Sequence, residues 1–203
     1  MPADESEGDR EGDRPTVLVV DGEEKLADMY TLWLRANYDV RTVYDGEEAL
    51  GELDGVDVVL LERHLPDQSG DQVLEAVQRR TADVSVVVVT GVEPSFTILE
   101  LPFDDYLCKP VRHGDLVDAI EHQLLARDHG DVFRRYTRLT ASQQLLEMGH
   151  SPDVLDGHGE FRDLQREAEE LEARLRHTDD GFEEAAATFR SIDRGPGRSR
   201  SRN

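Results

Sequence analysis

Short apolar runs alternate along the first two thirds of the chain with stretches whose apolar residues recur every three or four positions. The runs at 16–20, 56–61 and 84–89 are almost unbroken. They lack the two-residue alternation of a half-solvated strand, so they predict strands covered on both faces. Shorter runs at 39–43 and 105–108 predict two more strands. Between them, Leu26, Met29, Tyr30 and Trp33 share one helical face, and Val73, Leu74 and Val77 line a helix over 70–80. A small helix follows Tyr44-Asp45-Gly46 and runs to Leu53, a short one is expected near 95–101, and another from about Gly114 uses Leu116, Val117, Ile120 and Leu124.

Beyond residue 127 the rhythm becomes purely helical. A helix is expected over 132–146, and 148–159, with Gly149, Pro152, Gly157 and Gly159, reads as a loop or break. Phe161, Leu164, Ala168, Leu171 and Leu175 then alternate steps of three and four, a seam about two heptads long. That seam suits either an αα-hairpin closing on 132–146 or a homodimer. The expected organisation is an acidic disordered tail (1–14), an α/β domain (15–127), a helical module (128–193) and a flexible basic tail (194–203).

Five strands alternating with helices predict a doubly wound parallel sheet with right-handed crossovers and helices on both faces. Such a sheet delivers the last residue of every strand to one rim, where α/β proteins bind ligands. Those residues are Asp21, Glu62, Thr90 and Lys109. Two carboxylates, a hydroxyl and an ammonium together suit phosphoryl chemistry: acids for a divalent cation, donors for phosphate oxygens.

Composition narrows the setting. The net charge is −22, with two lysines (Lys25, Lys109) against twenty-one arginines. Such an acidic, lysine-poor surface is at home in roughly molar salt, where the Debye length shrinks to about 3 Å. The single cysteine, Cys108, rules out an internal disulfide and a cysteine zinc cage. No apolar run approaches a membrane span and residues 1–14 do not read as a signal peptide, so a cytoplasmic protein without membrane insertion is expected.

Val17-Leu18-Val19-Val20-Asp21, Leu61-Glu62-Arg63-His64-Leu65-Pro66-Asp67-Gln68-Ser69-Gly70, Val87-Val88-Val89-Thr90 and Asp104-Asp105-Tyr106-Leu107-Cys108-Lys109-Pro110 occur in the order seen in response-regulator receiver domains. Residues 15 to about 127 resemble that family, which implies a flavodoxin-like (βα)5 fold with sheet order 2-1-3-4-5. Tyr136-Thr137-Arg138-Leu139, Leu145-Leu146-Glu147, the Glu-rich helix and the segment from Phe182 to Arg190 resemble the HalX domain found behind receivers in haloarchaea. In receivers, an aspartate at the position of Glu62 takes a phosphoryl group from a histidine kinase. The resemblance makes Asp21 one of two Mg2+-holding acids, Thr90 the switch hydroxyl, Tyr106 the switch aromatic and Lys109 the cation facing the phosphoryl group. It makes the backbone carbonyl of His64 a metal ligand. The face formed by the fourth helix, fifth strand and fifth helix is then the expected partner surface.

Two departures stand out. Glu62 replaces the acceptor aspartate, and its extra methylene advances the carboxylate by about 1.5 Å. Gly22 stands where the second acid belongs, so Mg2+ binding is expected to be weak or lost. The expectation is a response regulator in a two-component phosphorelay that meets a sensor histidine kinase or other signalling proteins. Its acceptor site is expected to be degenerate, with Glu62 either a phosphate mimic or one half of an inert ion pair, and no catalytic residue is assigned. Two alternatives are a transcription regulator contacting DNA through the C-terminal module or a partner, and a metal-dependent phosphatase-like enzyme using Asp21 and Glu62. Direct DNA contact lacks a basic recognition helix, and Arg198, Arg200 and Arg202 would grip phosphates weakly in molar salt. His150, Asp153, Asp156 and His158 have no recognised metal spacing and are expected to be solvated.

Overall fold

The computed structural model describes residues 14–80, 84–179 and 181–195. The tails expected at 1–14 and 194–203 lie outside these apart from Arg14, Arg194 and Gly195. Five strands, β1 (Thr16–Val20), β2 (Asp39–Val43), β3 (Val58–Leu61), β4 (Ser85–Thr90) and β5 (Asp105–Cys108), form one parallel sheet in the order β2-β1-β3-β4-β5. The flavodoxin-like expectation is met. Strands β3 and β4 are buried along their whole length, which is why their sequences show no alternation.

Helices α1 (Glu24–Leu34), α2 (Gly46–Gly51) and α3 (Gly70–Arg80) follow the first three strands, and α4 (His113–His129) follows β5. On α1 the fully buried residues are Ala27, Tyr30 and Leu34, with Leu26, Met29 and Trp33 only partly covered. The crossover between β4 and β5 contains only a 3₁₀ segment, Phe96–Glu100.

The C-terminal module comprises α5 (Asp131–Gly149), α6 (Pro152–Gly157), α7 (Gly159–Thr178) and α8 (Phe182–Arg190). The break expected over 148–159 is therefore corrected: α5 continues to Gly149 and α6 occupies the middle of the segment. Pro152 starts α6, since a first-turn proline gives up only an N–H that has no helical partner. Helix α7 packs along α5, so the heptad seam closes within the chain as a hairpin.

This module fills the place left by the reduced fourth crossover. Leu145, Leu146, Leu155 and Phe161 enter the same apolar cluster as Val86, Val88, Phe103 and Tyr106. The surface expected to meet partners is thus covered by the chain's own helices. The chain end completes the cover. Arg194, expected in a flexible tail, is instead 1% exposed. Its guanidinium pairs with the fully buried Asp105 at 2.6 and 3.0 Å, donates to Gln144 at 2.6 Å and lies 4.3 Å from the Phe189 ring centroid. Its carbonyl accepts from Cys108 N at 3.0 Å, which caps part of the otherwise open edge of β5.

Two predictions follow from this clasp. Arg194→Met leaves Asp105 buried and unpaired, so unfolding in urea at high salt should show a loss of about 3 kcal/mol, partly recovered by adding Asp105→Asn. His122 on α4 lies against Phe189, and burial holds its pKa below the ordinary 6.5; Arg194 pushes the same way, while Asp105 and Asp118 oppose it. Its folded pKa is the lower one, so the neutral ring's full contribution is present above about 6.5 and is lost as pH falls through the folded value. His122→Leu should flatten the stability loss between about pH 7 and pH 5 in denaturant titrations; an unchanged slope would contradict it.

Candidate functional site

The ladders run one residue past the strands and fix the rim. Glu62 N donates to Val20 O at 2.9 Å, Lys109 N to Thr90 O at 2.8 Å, and Asp21 N to Val43 O at 3.3 Å. Asp21, Glu62, Thr90 and Lys109 therefore meet although up to 88 residues separate them. Asp21, Glu62 and Thr90 are buried.

Lys109 Nζ lies 2.6 Å from Asp21 Oδ2 and 2.5 Å from Glu62 Oε2. The Thr90 hydroxyl donates to Glu62 Oε1, which also accepts from His64 N at 3.0 Å. Asp21 Oδ1 accepts from Glu23 N at 3.0 Å. All four oxygens of the two acids thus hold donors of the chain. Burial raises the pKa of Glu62, but hydrogen bonds from Lys109, Thr90 and His64 N outweigh it and hold the carboxyl below its ordinary range.

The loop after β3 is closed by its own contacts. Gly70 N donates to Arg63 O at 2.8 Å, and Arg63 grips Asp71 through two bonds of 2.8 and 2.7 Å. A Cβ on Gly70 would stand 2.3 Å from Glu62 O, so only glycine lets the loop approach this closely. Asp67 reaches across to accept from Gly46 N and Glu47 N at 2.9 and 3.0 Å, tying the loop to α2. Arg63 and Asp67 are rim supports that strand-end logic does not find; their signal in the sequence is their place in the receiver-like stretch from Leu61 to Gly70.

Tyr106 is fully buried, packs edge-on to Phe103 and donates to Val92 O at 2.7 Å. Burial pushes its phenol up to about 12, with Arg63 acting in the opposite direction. Val92 N in turn donates to Thr90 Oγ1 at 3.3 Å, so Thr90 and Tyr106 are joined through one residue of the following loop.

The residues present do not fit a tightly held divalent cation. The ammonium of Lys109 lies between the two acids, and Gly22 supplies no oxygen ligand from a side chain. A Cβ on Gly22 would stand 2.9 Å from Pro66 Cδ and 3.7 Å from His64 O, so a second acid there requires Pro66 to shift. Glu23 is exposed at the start of α1. Among the described residues no group of three or more His, Cys, Asp or Glu is placed to hold a metal, which includes the histidines and aspartates of 150–158. Also among them, no helix is long and apolar enough to cross a membrane.

Comparisons with known proteins agree with this architecture. The response regulator receiver domain matches residues 17–121 and the HalX domain residues 126–193. A Haloferax volcanii protein, provisionally described as a transcriptional regulator, is 43% identical over 133 residues, which cover 64% of this chain and 23% of that protein. The sensory transduction protein RegX3 of Mycobacterium tuberculosis is 38% identical over 111 residues, 52% of this chain and 48% of its own. A CheY-like receiver domain protein of Methanospirillum hungatei superposes with a TM-score of 0.54 at 25% identity, covering 57% of this chain and 98% of that one. The chain spans about half of the RegX3 relative and less of the Haloferax protein. With its first half matched to one model and most of the remainder to the other, the chain belongs to the response regulator receiver family and carries a HalX domain behind the receiver.

Proposed function

We propose that this response regulator signals through protein contact, with a rim that no longer depends on phosphoryl transfer. One observation carries the reading: Glu62 engages Lys109 and Thr90 at once, the two side chains that the family resemblance assigns to a phosphoryl group. The longer acid brings its own negative charge to the place where phosphate oxygens would bind. It carries one charge against about −1.5 to −2 for a phosphate, so it is a partial mimic.

The same geometry argues against acceptor chemistry. Attack on phosphorus requires a carboxylate lone pair aligned with the leaving group, and three of the roughly four acceptor sites of Glu62 already hold donors. An error of about 1 Å in such an alignment costs on the order of a hundredfold in rate. Engaged in this way, neither Asp21 nor Glu62 serves as a general base, which disfavours the phosphatase-like alternative. A sensor histidine kinase or a related signalling protein remains the natural upstream partner. An output on transcription is the second reading, favoured by the description of the Haloferax relative.

Labelling with acetyl phosphate and Mg2+ tests the acceptor argument. Glu62→Asp withdraws the carboxylate by about one carbon–carbon bond, 1.5 Å, and should label about a hundredfold faster than wild type. Wild type labelling as readily as the variant would contradict the reading.

A further inference from the structure

The chain reaches Gly195 beside a polar channel on the HalX module. Two adjoining hollows of about 350 and 310 Å³ share Gln144, Glu147 and Arg190, and together they run between α5 and α7. Met148, 53% exposed, marks the near end, where a Cβ on Gly195 would stand 3.4 Å from its sulfur. Tyr136 and Glu172 line the far end. Charge along the channel is unbalanced. Glu172 is matched by Arg190 at 2.7 Å and by Arg176 at 2.8 Å, and Arg194 is spent on Asp105. Glu147 on α5 accepts from the neutral amide of Gln143 at 2.8 Å, and neither it nor Glu169 on α7 meets a cation among the described residues. The lining therefore suits a polar, cationic occupant.

Such an occupant is attached at the entrance. Eight residues follow Gly195 in the sequence, Pro196-Gly197-Arg198-Ser199-Arg200-Ser201-Arg202-Asn203, with three arginines and no acid. Fully extended, they span about 28 Å, against about 18 Å of α5 from Met148 back to Tyr136. The segment is long enough to follow the whole channel. In an extended chain alternate side chains share a face, so Arg198, Arg200 and Arg202 would turn the same way, about 7 Å apart.

We propose that residues 196–203 dock back along this channel in the same chain, with their arginines on Glu147 and Glu169. Molar salt does not forbid it. A free basic segment loses its grip on nucleic acid there because counterion release drives that binding. A tethered segment instead has an effective concentration of about millimolar at the site. Its guanidinium–carboxylate bonds are made in contact, at about the 3 Å Debye length of molar salt, and are often bidentate. The tether also favours the chain's own segment over that of a second copy. Seated, the three arginines neutralise the channel and are withheld from other polyanions. The inference is independent of the reading of Glu62, because no residue of the rim lines the channel.

Paramagnetic relaxation on the full chain in molar potassium chloride tests the docking. Asn203→Cys carries a nitroxide; the native thiol, Cys108, is buried and its pKa is pushed up to about 11, which directs the label to position 203. Amides of 136–147 and 165–172 should relax about threefold faster or more than with the label reduced, while β2, at the far edge of the sheet from β5, is unchanged. Glu147 and Glu169 are exposed, so Glu147→Lys with Glu169→Lys should spare the fold and abolish the enhancement. Replacing Arg198, Arg200 and Arg202 by Gln should do the same. No enhancement along the channel, or one that survives both sets of substitutions, would overturn the proposal. Enhancement seen between a spin-labelled chain and a separate isotope-labelled chain, and absent within one chain, would assign the channel to a second copy and overturn it as well.

Discussion

A single ammonium organises the functional end of this protein. Lys109 stands between Asp21 and Glu62, two buried carboxylates whose mutual repulsion would otherwise oppose the close approach of β1 and β3 at the rim. Buried charges are tolerated only when paired and fully hydrogen-bonded, and here the remaining oxygens are met by Thr90, His64 N and Glu23 N. The lysine thus neutralises from within a charge that a receiver rim would share with a divalent cation. Glu62 meets both partners at once, Thr90 through one oxygen and Lys109 through the other.

The sheet supplies the precision. Parallel ladders continue one residue beyond β3 and β5, so the positions of Glu62 and Lys109 are set by backbone bonds and not by loop conformation. The loop after β3 is held by Gly70 and by the Arg63–Asp71 pair, and the loop after β4 ends at Phe96, which stacks on His158 of the HalX module. Receiver and module share a core along β5, where the acids Asp104 and Asp105 are matched by arginines of the module and the chain end. The two modules are continuous at the place where the switch residues lie.

The sequence made some of this legible and not the rest, for physical reasons. Strands β3 and β4 stand out because burial on both faces demands unbroken apolar residues, and the winding rule then brings Asp21, Glu62, Thr90 and Lys109 to one edge. The pairing of α5 with α7 follows from the three–four spacing of Phe161 to Leu175, though spacing alone does not tell a hairpin from a dimer. Arg194 is the opposite case: it opens a stretch rich in Gly and Arg that reads as a solvated tail, and its partner Asp105 lies 89 residues away. The continuation of α5 to Gly149 and the short α6 were hidden by glycines and by Pro152, which act as breakers in one position and as ordinary helix ends in another. The docking of the module on β5 has no local signature, because the apolar faces of α5 and β5 each suit any apolar neighbour.

The central claim is that Lys109 occupies the electrostatic role of a metal at this rim. Calorimetric titration of the full chain with Mg2+ in molar potassium chloride tests it most directly. The account predicts no saturable heat up to about 10 mM, since only carboxylates already engaged face the ion. Saturable binding at about 1 mM or tighter, abolished by Asp21→Asn, would show that the rim takes up a cation after all and would contradict it.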